Sequence, residues 1–339
     1  MKNNPRFNYI ITIHNKQELI RDVLLGLLVC CRDNSHIYTV LDGCTDNTES
    51  IIDEISCLFS QIPITKVYTP DVHEILSINA GLKAASQEGE GYNILLQDDV
   101  ILRDFMWEAK VSKLYEWAGD RLGFVSFRLG FNLTENLRLS EDPFIQQIEN
   151  AYGHGLEKAL PLFPGQLVYR DIVIKSPVCI PFKLVRDIGM LDERLAPYMC
   201  DDFDYSIRCL KAGYHNAVFG LRFQSDVDWG STRKNPSPQL GELQDRNLRL
   251  IEDWHKSFLE SISSNRENKS VLDVPNIASE YEKNLATKAW DENRKALNDF
   301  FLTQGHSGFM RKDKRFIMKN ILFLSEVIIR RLKNRQNWS

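Results

Sequence analysis

The first hundred residues alternate between two periodicities, and that alternation allows few folds. FNYIITI (7–13) is apolar and β-branched, the composition of a buried strand. In NKQELIRDVLLGLLVCC (15–31), apolar residues at 19, 20, 23, 24, 27 and 28 follow a helical period. HIYTVL (36–41), ITKVY (64–68) and YNILL (92–96) read as further strands. DNTESIIDEISCLF (46–59) and ILSINAGLKAAS (75–86) read as the helices between them. Each helix is preceded by a cap-spaced pair, Asn15 with Glu18, Asp46 with Glu49, and Asp71 with Glu74. Strand–helix alternation of this kind predicts a parallel sheet with helices on both faces.

In such sheets ligands bind beyond the carboxyl ends of the strands. That rule gathers HN (14–15), DGCTDNT (42–48) and QDD (97–99) on one edge. A helix-cap role suits Asp46 and Asp71. Asp42, Asp98 and Asp99 directly follow their strands. Adjacent carboxylates repel and cost free energy to bury. Either Asp98 and Asp99 lie in a solvated turn, or a cation belongs beside them. Mg²⁺ or Mn²⁺, which takes carboxylate and phosphate oxygens, is the natural one. A dinucleotide fold would need a glycine-rich first turn, and ITIHNKQE has no glycine. The P-loop pattern is also absent.

The chain continues with a helix in WEAKVSKLYEWAGD and a strand in LGFVSFRLG. A breaker-rich stretch to about residue 175 follows, either an inserted lobe or a flap. Residues 178–219 read strand, helix, loop, helix, strand, and TRKNPSPQLGE (232–242) reads as a boundary before a mainly helical remainder. Within 178–219, Asp201, Asp202 and Asp204 form a second acidic cluster, with Arg208 placed for an i,i+4 ion pair to Asp204. Two readings of the cluster stand level. It is a solvated helix N-terminus favoured by the helix dipole, or it holds a general base for an acceptor hydroxyl.

The ordered set of motifs resembles inverting glycosyltransferases of the GT-A fold, and family 2 in particular. YIITIHNKQELIRDVLLGL resembles that family's opening strand, Asn and helix. VLDGCTDNTESII resembles its Asp-Gly-Ser-x-Asp-x-Thr turn, with Cys44 in the Ser position. INAGLKAA resembles its Asn-x-Gly helix, and ILLQDDVIL its Asp-x-Asp strand end. IGMLDERLAPYMCDDFDYSIRCLKAGY resembles the block that runs from Gly-x-x-Asp-Glu to Ala-Gly-Tyr. The resemblance covers residues 7–230 and implies an α/β fold of the nucleotide-diphospho-sugar transferase type, with a mostly parallel, Rossmann-like sheet flanked by helices. It implies a catalytic domain over 1–235, its nucleotide half at 1–102 and its acceptor half at 103–235. A helical extension would fill 236–339.

By the same resemblance, Asp42 holds the nucleotide base, usually uracil, flanked by Thr12, His14, Asn15 and Asn79. Asp99 and Asp98 hold Mn²⁺ or Mg²⁺ on the diphosphate. Asp202 is the base that deprotonates a hydroxyl of a glycan or lipid-linked acceptor. Asp201 sits beside Asp202 and raises its pKa, and Asp204, Trp229 and Arg233 support the acceptor side. The implied activity is transfer of a sugar from a nucleotide donor, UDP-linked by preference, in surface polysaccharide synthesis. Three departures bear on this. Gln97 stands where the family has its first Asp, and Ile78 replaces an Arg. FQSDVDWGSTRK lacks a ligating His, which leaves Asp226 or Asp228 as substitutes and Arg233 and Lys234 as possible cover for the diphosphate. A non-catalytic nucleotide-sugar or glycan-binding protein is therefore the alternative. A nucleotidyltransferase ranks below it, because the first turn offers only Lys16.

The formal net charge of -4 does not suggest a nucleic-acid partner. Seven irregularly spaced cysteines with no CxxC pair fit a reducing cytoplasm. The opening MKNNPRFNYIITIHN lacks a basic start followed by a long apolar core. Residues 311–335 carry nine Lys/Arg against Asp313 and Glu326, so the balance there is +7 and the remainder is -11. That basic, amphipathic stretch would suit either packing on the acidic domain or contact with an anionic membrane surface at its inner face.

Overall fold

A computed structural model describes residues 5–303, apart from 33, 105, 134–144, 154–158, 227, 231–237 and 263–269. The basic stretch 311–335, Arg233 and Lys234 lie outside the described residues. The chain divides into two compact units, 1–295 and 296–339.

The expected alternation is present: β1 (Arg6–Ile13), α1 (Ile20–Leu28), β2 (Ser35–Asp42), α2 (Thr48–Leu58), β3 (Ile64–Thr69), α3 (His73–Ala84) and β4 (Gly91–Gln97). All pairings among these four strands are parallel, with β1 between β2 and β4. Burial on both faces is what a near-continuous apolar strand such as β1 requires. Phe7, Tyr9, Ile11 and Ile13 of β1 enter the core cluster shared with α1 and α2. Ile10 enters the other, shared with α3.

Next come β5 (Ile101–Leu102), α4 (Trp107–Ala118), β6 (Leu122–Ser126), β7 (Leu129–Asn132), β8 (Ile145–Asn150), β9 (Leu160–Leu162), β10 (Gln166–Arg170) and β11 (Ile172–Ile174). They are followed by β12 (Val178–Pro181), α5 (Phe182–Ile188), α6 (Asp201–Lys211), β13 (His215–Phe219) and β14 (Phe223–Gln224). The remainder holds α7 (Pro238–Ser261), β15 (Leu272–Asp273) and α8 (Glu280–Thr303). The central sheet has nine strands in the order β15-β10-β13-β6-β12-β4-β1-β2-β3. β12 and β10 run against the other seven, so the sheet is mostly parallel in direction, with helices on both faces. The breaker-rich stretch supplies a second sheet, β11-β7-β8-β9.

The first compact unit extends past the Pro-containing stretch at 232–242, because α7 is bonded onto the sheet domain. Asn247 Nδ2 reaches the carbonyls of Leu195 at 2.9 Å and Met199 at 2.8 Å. His255 Nε2 lies 2.8 Å from Asp204 Oδ1. Among the described residues no helix is long and apolar enough to cross a membrane.

Two of the expected caps are not formed. α1 begins at Ile20 rather than beside Asn15, and no side chain caps it. α3 begins at His73, and the carboxylate at its start comes from Asp42 rather than Asp71. The glycine of INAGLKAA has a packing reason. A Cβ at Gly81 would stand 2.4 Å from Ile10 Cγ2 and 2.9 Å from Val40 Cγ2, so α3 lies on β1 and β2 with no room for a methyl group. Gly81→Ala should therefore cost about 1–3 kcal/mol of stability, measured as a lower midpoint of urea unfolding.

Candidate active site

The parallel register builds the site. Thr12 pairs with Val40 on one side and Gln97 on the other, so β1, β2 and β4 end together. The turns that follow share one rim. Asn15, at φ 47°, occupies the left-handed region that Asn tolerates better than most residues. Its Oδ1 accepts from Thr45 N at 2.8 Å and from Asp46 N at 3.3 Å. Asp46 accepts in turn from Gln17 N and Thr48 N, both at 3.0 Å. Asn15 thus stitches the first turn to the second.

Asp42 is buried, and its carboxylate is heavily used. Oδ1 accepts from Thr69 Oγ1 at 2.7 Å and Val72 N at 2.8 Å, and Oδ2 accepts from His73 N at 2.8 Å. It fixes the start of α3 against the end of β2 and benefits from the positive end of that helix. His14 is exposed beside it, with Nδ1 2.7 Å from the Asp42 carbonyl. One atom each from His14, Asp42 and Asp71 lie within 4.8 Å of one another. The three donors already on Asp42 make that trio a poor cation cage. Asn79 is turned elsewhere, bonding Leu191 through both its amide nitrogen and its oxygen at 2.9 and 3.1 Å.

At the end of β4, Asp98 Oδ2 accepts from His14 N at 3.1 Å, and Oδ1 lies 3.2 Å from Lys16 Nζ. Lys16 Nζ also donates to the Trp229 carbonyl at 2.9 Å, which ties the half-buried Trp229 to the site. Burial pushes Asp98 up to about 6, with the charge of Asp99 adding and Lys16 opposing. Asp99, 6% exposed, follows directly. Two adjacent carboxylates, Asp99 buried and Asp98 half-buried and held above its ordinary range by desolvation, fit a hard divalent cation. The Lys16 ammonium supplies positive charge at that place. The substitutes suggested by the sequence lie further along, where Asp226 Oδ1 accepts from Asp228 N at 3.1 Å and Asp228 is exposed.

The second cluster opens α6. Asp204 is a brace, bound to Arg208 Nε at 2.7 Å and to His255 on α7. Asp201 and Asp202 are buried at the helix start. Asp202 accepts from Lys175 N at 3.3 Å and Phe203 N at 3.0 Å. Burial first and the charge of Asp201 second push Asp202 up to about 7, against the Lys175 ammonium. That value suits a proton acceptor near neutral pH.

Two residues of this site, Lys175 and Glu74, are assigned no catalytic or binding role by the sequence motifs. Lys175 is buried, its ammonium on Asp201 and 3.4 Å from Glu74. Glu74, expected to serve a helix cap, instead accepts from Gln97 Nε2 and faces Lys175. A lysine inside the apolar run IVIKSPVCIP was the one available cue. Through Gln97, Glu74 and Lys175 the end of β4 is joined to the start of α6.

No family model matches this chain, and no curated protein matches it. Among solved structures it is similar to a mannosyltransferase from Pyrobaculum calidifontis in complex with GDP-Man and Mn²⁺. The TM-score is 0.50 at 14% identity, over 98% of this chain and 88% of that one. S. aureus TarS 1–349 in complex with UDP gives a TM-score of 0.48 at 15% identity, over 91% of this chain and 75% of that one. At 14% identity the likeness to the mannosyltransferase is one of fold.

The buried Asp202 has a stability consequence. Its folded pKa lies above the usual carboxylate value, so the unfolded state loses its proton first as pH rises. The cost is absent below about pH 4 and fully present above about pH 7. Asp202→Asn should therefore gain thermal stability relative to the native chain as pH rises across that window, read by Tm at several pH values. A difference independent of pH would contradict the burial effect.

Proposed function

We propose that this chain is a glycosyltransferase of the GT-A type that moves a sugar from a nucleotide-sugar donor to a hydroxyl acceptor with inversion. The observation that carries the reading is that two carboxylate groups, Asp98–Asp99 after β4 and Asp201–Asp202 at the start of α6, are joined by one part-buried polar chain through Gln97, Glu74 and Lys175. The fold-level likeness to a mannosyltransferase supports it.

In this reading the rim of Thr12, His14 and Asn15, shaped by Asp42, receives the nucleotide, with UDP favoured. Asp98 and Asp99 would hold a divalent cation, Mn²⁺ or Mg²⁺, which supplies charge neutralisation to the leaving diphosphate. Lys16, between Asp98 and the Trp229 carbonyl, adds a second positive charge on that side. Asp202 takes the proton of the acceptor hydroxyl as that oxygen bonds to the anomeric carbon. The bond from that carbon to the diphosphate oxygen breaks on the opposite face. A glycan or lipid-linked acceptor, in the assembly of a surface polysaccharide, fits the resemblance of the sequence motifs. A binding protein without turnover is the second reading, favoured by Gln97 in place of a carboxylate.

The test is release of nucleoside diphosphate from a panel of UDP-, GDP- and dTDP-sugars with Mn²⁺. Loss of the general base in Asp202→Ala should lower turnover by about 100-fold or more, and Asp99→Ala should abolish the metal requirement together with most of the activity. Full turnover in both variants rejects these roles. Nucleotide binding without transfer to any acceptor selects the second reading.

A further inference from the structure

Asp201 and Asp202 are neighbours at the start of one helix, and both are buried. Nothing in their covalent structure distinguishes them as proton acceptors. Their surroundings do. Lys175, its side chain 9% exposed, places its ammonium on Asp201 Oδ2, while its backbone N–H donates to Asp202 Oδ2 at 3.3 Å. One residue therefore gives the first carboxylate a direct ion pair, and the second a backbone dipole with the ammonium acting on it only from further off. The other donor to Asp202 is also a backbone N–H, that of Phe203 at 3.0 Å. On its far side the Lys175 ammonium lies 3.4 Å from Glu74, which Gln97 Nε2 also binds.

We infer that Lys175 is the positioning residue that makes Asp202, rather than Asp201, the proton acceptor, with Glu74 as the counter-charge that holds Lys175 in place. A proton on Asp201 would break a buried ion pair, whereas a proton on Asp202 displaces no cation. With every group ionised, Glu74, Asp201 and Asp202 place three negative charges around one ammonium. One proton on Asp202 relieves the excess. The word acceptor rests on the transferase reading, and the division of charge between the two carboxylates does not.

The groups that face Asp202 come from several elements. α6 brings Asp201 and, two residues beyond Asp202, Asp204, which is ion-paired with Arg208 and hydrogen-bonded to His255. α3 brings Glu74, and the segment ahead of β12 brings Lys175. The corner before α6 brings the Cys200 thiol, whose own field includes Asp245 of α7. The end of β4 brings Gln97, which carries no charge.

The test uses the full chain with its aspartate carboxyl carbons labelled, titrated by NMR, with Asp202→Asn assigning the resonance. Lys175→Met should move the midpoint of the Asp201–Asp202 pair upward. Lys175→Arg, which keeps the charge, should leave it near that of the native chain, and Glu74→Gln should move it downward. The acidic limb of kcat/KM should shift in the same order, with activity at low pH falling about tenfold per unit of upward shift and returning at high pH. A lower Tm in Lys175→Met with an unmoved midpoint and an unmoved pH profile reduces Lys175 to a packing residue and overturns the inference. Should Lys175→Met fail to fold, Glu74→Gln decides alone, and an unmoved midpoint there overturns it. Midpoints that move as stated in a protein that turns over no donor sustain the charge arrangement and reject the transferase reading.

Discussion

The rim of the candidate site follows from the register of three parallel strands, and α6 brings the second set of carboxylates to it. With Thr12 opposite both Val40 and Gln97, the turns after β1, β2 and β4 emerge side by side. Their acidic residues then share a small volume. Each carboxylate so crowded needs a compensating partner, since an unpaired buried charge is among the costliest defects a fold can hold. Asp42 takes the N-terminus of α3, Asp98 takes Lys16, Asp201 takes Lys175, and Asp204 takes Arg208 with His255. Among the described residues Asp202 accepts hydrogen bonds only from backbone N–H groups, and it is the carboxylate that burial drives to the neutral range.

These pairings also carry the chain's long connections. Lys16 bonds the carbonyl of Trp229, and Lys175 links α3 with α6. His255 fastens α7 to the same helix, and Asn247 holds the loop ahead of it. Breaking a buried pair by removing one partner typically costs about 3–5 kcal/mol. The same side chains that set the electrostatics of the site thus fix the position of its walls.

What could be read in the sequence divides along a physical line. Periodicity is local, so the alternation from β1 to β4 was legible, as was the Asp204–Arg208 pair at one-turn spacing. Capping signals failed where a distant side chain took over the local role. Asp42 fills the position that Asp71 appeared to offer, and Asn15 serves the turn at 45–46 instead of α1. Lys175 could not be read, because its partners lie on two other segments and no spacing rule connects them. The docking of α7 escaped for a related reason. Its bonds go to carbonyls and to one aspartate, which leave no pattern in composition.

Gln97 illustrates how an apparent defect becomes intelligible in three dimensions. Read along the chain, it is an amide where the resemblance leads one to expect a carboxylate. In the fold its Nε2 donates to Glu74, whose other neighbour is the Lys175 ammonium. A carboxylate at 97 would face Glu74 with like charge and would deepen an excess of negative charge that already surrounds one lysine. A neutral donor is the residue type this cluster can accept. In the transferase reading, a cation at Asp98 and Asp99 would be held without help from position 97, and Lys16 already supplies positive charge there. The amide also connects the end of β4 to the counter-charge of Lys175 through one hydrogen bond. The Asp98–Asp99 pair and the Asp201–Asp202 pair are consequently linked through three side chains, those of Gln97, Glu74 and Lys175, each in contact with the next.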